Sequence, residues 1–108
     1  MATITRKRVG STTVRITRTA RDELVGIGDR FDAQVEGRVT ALAAAKGNLF
    51  VGTSKGIVSR LETQTGRRCA RAVFDAPITK LSVRGAVLKV LTRNDTFAVT
   101  SSTLRKVK

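Results

Sequence analysis

The sequence predicts an all-β chain: two consecutive four-stranded, blade-like units, each an antiparallel meander, preceded by a basic N-terminal arm. Three observations predict it. The stretch Val39 to Leu61, VTALAAAKGNLFVGTSKGIVSRL, returns without a gap as Ile78 to Thr100, ITKLSVRGAVLKVLTRNDTFAVT, at an offset of about 39 residues. Val39 falls on Ile78, Thr40 on Thr79, Leu42 on Leu81, Leu49 on Leu88, Val51 on Val90 and Thr53 on Thr92. Short runs in both copies alternate with the period of two that a strand requires, not the 3.6 of a helix. Both copies are also interrupted at corresponding places by residues suited to sharp turns. A period near 40 residues built from short strands is the spacing of a propeller blade.

Taken in order, the first 37 residues stand outside the repeat. Met1 to Arg21 holds Arg6, Lys7, Arg8, Arg15, Arg18 and Arg21 with no acid, and Asp22 to Glu36 holds five of the eight acids. The pattern predicts a flexible basic arm, a strand over Thr12 to Thr19, a short strand or turn over Leu24 to Ile27, and Phe31 to Val35 leading into Gly37. A frayed, solvated terminus and an arm that docks on an acidic partner fit this composition equally well.

The first unit spans about residues 38–76. Val39 to Ala45 is its first strand, Lys46-Gly47-Asn48 turns the chain, and Leu49 to Thr53 forms the second. Lys55-Gly56 closes a hairpin into Ile57 to Leu61, and Asn94-Asp95 takes that place in the second unit. Both pairs are residues that tolerate positive φ. Gln64-Thr65-Gly66 makes the next turn. Arg68 to Phe74 then reads as an outer fourth strand, with arginines guarding the edge against another chain. Pro77, the only proline, has a fixed φ and no N–H, so it suits the link to the second unit, about 77–108. Leu42, Leu49, Val51, Leu81, Leu88 and Val90 are the expected buried residues.

A chain of 108 residues is one small domain. With four Phe and no Trp or Tyr, its core is built from Val, Ile, Leu and Ala. The single Cys69 excludes an internal disulfide and reads as a packing residue. No apolar stretch reaches the length needed to cross a bilayer, and no signal-peptide pattern follows the start.

Lysine and arginine number 21 against 8 acids, a formal charge of +13. Such an imbalance attracts polyanions and acidic proteins. With few aromatics for stacking and no helix for the major groove, any nucleic-acid contact would be made to phosphates without sequence preference. The absence of histidine rules out Ser-His-Asp and Cys-His machinery and His-based metal sites. Glu62, Asp75 and Asp95 fall at expected turns or strand ends, where they serve the backbone. Gly26-Ile27-Gly28 precedes no helical pattern, so it is no dinucleotide loop. The expectation is a protein without catalytic residues, cofactor or metal.

Four short motifs add a resemblance. Leu49-Phe-Val-Gly-Thr-Ser-Lys-Gly, Thr65-Gly-Arg-Arg, Phe74-Asp-Ala-Pro-Ile-Thr-Lys-Leu and Val90-Leu-Thr, read in order, resemble a stretch of a Hira/TUP1-like, WD-type β-propeller. The resemblance covers Val39 to Thr100. It implies a segment of a histone-chaperone or co-repressor subunit of chromatin assembly, working in the nucleus by holding partners. The sequence departs from it in three places: Arg60-Leu61 replaces the Trp-Asp blade ending, the Gly-His pair is absent, and Arg71 and Ala72 stand where such proteins often carry prolines before the apolar link. Two blades also cannot close a ring of four to eight, so a propeller fragment, a homo-oligomer and a small sandwich all remain open.

The function expected from the whole chain is therefore a non-catalytic protein-interaction module with acidic or histone-chaperone partners. The alternative is a small basic all-β protein that binds nucleic-acid phosphates. Candidate contacts to a polyanion or acidic partner are Arg6, Lys7, Arg8, Arg15, Arg18, Arg67, Arg68 and Arg71. No membrane partner is expected. The basic, threonine-rich N-terminus also fits organelle import, as an alternative to the nucleus.

Overall fold

The structure, a computed structural model, describes residues 3–9, 12–18, 23–27, 31–45 and 47–105. Among these lie eleven strands and no helix: β1 (Thr3–Val9), β2 (Thr12–Arg18), β3 (Glu23–Ile27), β4 (Phe31–Val35), β5 (Val39–Ala45), β6 (Asn48–Thr53), β7 (Ile57–Glu62), β8 (Arg68–Val73), β9 (Ile78–Arg84), β10 (Val87–Thr92) and β11 (Thr96–Thr100). They form three antiparallel meanders, β1-β2-β3-β4, β5-β6-β7-β8 and β9-β10-β11. The first strands of successive sheets lie beside one another, β1 against β5 and β5 against β9, so the sheets fan outward as blades do.

Two expectations about the blades need correction. Among the described residues of the first 37, the strands expected at Thr12 to Thr19, Leu24 to Ile27 and Phe31 to Val35 are present as β2, β3 and β4, but Thr3 to Val9, expected within a flexible arm, pairs along its whole length with Thr12 to Arg18 and opens a four-stranded sheet. The alternation of Val14, Ile16 and Val25 supplies an apolar face that only packing against a second sheet can bury, and the second sheet does so. The last unit in turn has three strands among the described residues, where four were expected.

The middle sheet explains the arrangement of the core. Its strand β6 is buried from Leu49 to Thr53 because successive side chains point to opposite faces and each face meets a neighbour. Leu49, Val51 and Leu61 join Val14, Ile16, Val25 and Val35 between the first and second sheets. Phe50, Val58 and Phe74 join Ile78, Leu81, Leu88, Val90 and Val99 between the second and third. Leu49 and Leu88, like Val51 and Val90, thus occupy equivalent places in successive interfaces. Leu42 is only half-buried, at the margin of the first interface.

The repeat extends to irregularities. Register slips between Val39 and Ala41 against β6, and at the matching place against β10, where Thr92 faces Ile78 and Leu91 faces Lys80. The bulged residues are Thr40 and Thr79. Their hydroxyls donate to the facing carbonyls of Gly52 (3.3 Å) and Leu91 (3.0 Å). A bulge tied down in this way fixes register, which one slip would otherwise invert.

The gapless alignment fails after the second hairpin. Val51 faces Ser59, but Val90 faces Phe97, an offset of 38 from Ser59 rather than 39. The shorter turn also differs in mechanism. Gly56 has φ +78, whereas neither Asn94 nor Asp95 has positive φ. Instead, Thr92 Oγ1 accepts from the amides of Asn94 and Asp95, at 3.3 and 3.1 Å. Thr53 Oγ1 accepts from Lys55 and Ile57 in the same position of the preceding sheet.

Candidate interaction surface

The eight basic residues singled out from sequence divide between two sheets. In the first, register places Arg6 opposite Arg15, Lys7 opposite Val14 and Arg8 opposite Thr13. The side chains of Arg6 and Lys7 lie outside the described residues. Arg8 is exposed and Arg15 half-buried, on the face turned away from the second sheet. Arg18 is exposed, and its Nε lies 3.7 Å from Glu23 Oε2.

The other three lie at the outer margin of the second sheet. Arg67 is exposed in the β7–β8 turn, where its carbonyl accepts from the Glu62 amide (2.9 Å) and its amide donates to Thr65 Oγ1 (3.2 Å). Arg68 and Arg71 converge on the carboxylate of Glu36, Arg68 Nη1 to Oε1 at 3.0 Å and Arg71 Nε to Oε2 at 3.3 Å. All three members of this network are partly solvated, so the pairing orients two arginines more than it stabilises the fold. These two guanidinium groups hold the link after β4 against the edge strand β8.

Depressions lie on the surface formed by the described residues. One, of about 290 Å³, is lined by Gly47, Asn48, Arg60, Glu62 and Gln64. Arg60 Nη1 donates to Asn48 Oδ1 there (2.9 Å). The Cys69 thiol donates to Glu62 Oε1 at 2.9 Å. That bond pushes the Cys69 thiol above its ordinary range and, with help from Arg67 and Arg60, holds the Glu62 carboxyl below its own. Cys69 therefore does more than pack, and its raised pKa opposes nucleophilic use. Among the described residues, no group of three His, Cys, Asp or Glu side chains is placed to hold a metal.

Another depression, about 450 Å³, is lined by Ser82, Arg84, Val87, Lys89 and Ala98 on the outward face of the third sheet. None of its cations was singled out from the sequence. The signal lay in the positions at which the two repeats differ, which a search for similarity passes over.

No family model matches the sequence, and no curated protein matches it. Solved structures do match in fold. BamB from Moraxella catarrhalis superposes with a TM-score of 0.73 at 14% identity, over 96% of this chain and 33% of BamB. The β-propeller domain of Cps50 (Swd1) from Myceliophteria thermophila gives 0.66 at 15%, over 98% and 37%. A HIRA fragment gives 0.65 at 16%, over 91% and 34%. The fold is that of consecutive β-propeller blades, and the chain spans about a third of the length of these structures. Identity this low shows architecture alone and leaves function to the surface residues.

Proposed function

We propose that this chain is a non-catalytic protein-interaction module that recognises acidic partners. The observation carrying this reading is the contrast between apolar sheet-to-sheet interfaces and outward faces that present cations: Arg8 and Arg15 at one end of the stack, Lys80, Arg84 and Lys89 at the other. A formal charge of +13 adds long-range attraction for acidic protein. The finer reading is a propeller segment of chromatin assembly or co-repression, acting in the nucleus beside acidic histone-chaperone-type partners. It is supported by the order of the four short motifs and by the likeness in fold to the HIRA fragment.

The excess of cations equally favours a second reading, phosphate binding without sequence preference. The two differ in salt dependence. Titration of the purified chain with acidic protein and with duplex DNA over a salt series separates them. A protein complex that survives moderate salt supports the interaction module. Binding confined to DNA, with the logarithm of affinity falling linearly against log salt, overturns it.

A further inference from the structure

We propose that the outward face of the third sheet is a docking surface for an extended acidic protein segment in which every second side chain, the set facing the sheet, is acidic. The proposal rests on the interaction-module reading and assigns that module a contact face.

Comparison of the second and third sheets, position by position, motivates it. The second sheet meets the third through Phe50, Ala41 and Ala43. At the same register, 39 residues on, the third sheet carries Lys89, Lys80 and Ser82, and Ala45 is replaced by Arg84. Its inward face keeps Leu81, Leu88 and Val90. The repeat has thus kept the side that packs on the preceding sheet and exchanged apolar contacts for cations on the side that would meet a following one. Another apolar blade face would bury these cations unpaired, at prohibitive cost.

A second copy of the chain fits no better. Stacked head to tail, it would bring a face on which register sets Arg6, Arg8 and Arg15 with one acid, Asp32, against Lys80, Arg84 and Lys89, leaving a cationic excess on both sides. Like charges would then oppose one another. Among the described residues, no acid lies in β9, β10 or β11, and no hydrogen bond or ion pair reaches the side chains of these three cations.

The geometry selects the ligand's shape. Lys80 and Arg84 lie four residues apart on β9, about 13 Å along the strand. Lys89 sits opposite Ser82, midway between them on β10. The three charges therefore recur every 6.5–7 Å or so along the sheet, the spacing of alternate side chains in an extended chain. Leu91 flanks Lys80, Val87 faces Arg84 and Ala98 faces Lys89. Val87 is 38% exposed, so aliphatic surface between the cations is available to the methylene stems of those acidic side chains. A phosphate backbone has nothing to place there, and Phe97, the one aromatic of this sheet, packs inward, leaving no platform for bases.

The test is an NMR titration of the isotopically labelled full chain with a short synthetic peptide of alternating glutamate and valine. Oligoglutamate and a single-stranded oligonucleotide form parallel arms. The expected result is a set of shifts centred on Ser82, Arg84, Val87, Lys89 and Ala98. Binding should weaken about tenfold or more in a K80E/R84E/K89E variant and stay within about twofold in an Arg67→Glu control. Lys89→Gln, a neutral change at an exposed site, provides a weaker version with unchanged thermal unfolding. Equal binding by the triple variant, or peptide shifts centred on Arg8 or Arg67, overturns this face as the site but leaves the interaction module standing. Preference for the oligonucleotide with a steep salt dependence overturns both.

Discussion

The carboxylate of Glu23 accepts a hydrogen bond from the backbone N–H of Val39, joining a buried side chain of β3 to the first residue of β5. Two sheets that share an apolar cluster are thereby also fixed in relative position by a hydrogen bond. Arg18, facing Glu23 across the hairpin, balances its charge. Replacing Glu23 by Ala takes this acceptor away from the Val39 amide. The expected loss is about 1.5–3 kcal/mol in denaturant unfolding, the range for a hydrogen bond to a charged group. Glu23→Gln keeps an acceptor oxygen and should lose less. Faster hydrogen exchange at Val39 in the alanine variant would locate the effect.

Gly52 and Ile78 approach closely between the second and third sheets. A β-carbon built on Gly52 would lie 2.5 Å from Ile78 Cγ2 and 2.9 Å from its Cβ. Ile78 is branched at Cβ and 1% exposed, so it has little room to yield. Gly52→Ala should therefore destabilise by about 1–3 kcal/mol, as overpacking does. Combining it with Ile78→Ala should give a loss smaller than the sum of the two single changes, because the cavity receives the added methyl. Additive losses in a double-mutant cycle would show that the contact is relieved elsewhere.

Ser59 is 1% exposed between the first two sheets, and its hydroxyl has no hydrogen-bond partner. A buried donor without a partner costs about 1–3 kcal/mol. Ser59→Ala should leave stability unchanged or raise it by about 1 kcal/mol, measured as the denaturant midpoint at constant slope. A loss larger than about 1 kcal/mol would mean that the hydroxyl is bonded in solution.

Which parts of this fold were legible in the sequence follows from what each residue faces. Leu49, Val51, Leu88 and Val90 recur because the same side of each sheet packs on its predecessor, and repetition exposed them. The β5–β6–β7 meander was readable from alternation and from Lys55-Gly56. The first sheet was obscured because β1 reads TITRKRV, charge interleaved with threonine, and its apolar partners lie on β2 and β3. Glu23 was invisible as a structural residue because its partner is 16 positions away. The site expected at Arg68 and Arg71 overlooked Glu36, 32 and 35 residues distant. Lys80, Arg84 and Lys89 were missed for a different reason: they are where the repeat fails, and the shared positions drew the comparison.

The bond from Cys69 to Glu62 makes two opposed predictions about pH. It favours the ionised carboxylate, so its contribution is present above the ordinary glutamate pKa and is lost as pH falls through the depressed value. It also favours the protonated thiol, so its contribution is present below the ordinary thiol pKa and is lost as pH rises through the elevated value. Both effects hold near neutral pH. The readout is alkylation of Cys69 by iodoacetamide, whose rate tracks the thiolate fraction. Near the ordinary thiol pKa of about 8.5, the native protein should react several-fold more slowly than a free cysteine peptide. Glu62→Gln removes the negative charge that opposes the thiolate, so its alkylation profile should move to lower pH, with burial still raising the thiol and Arg60 and Arg67 still lowering it. An unchanged profile in Glu62→Gln would mean that burial, not the carboxylate, sets the reactivity of the thiol.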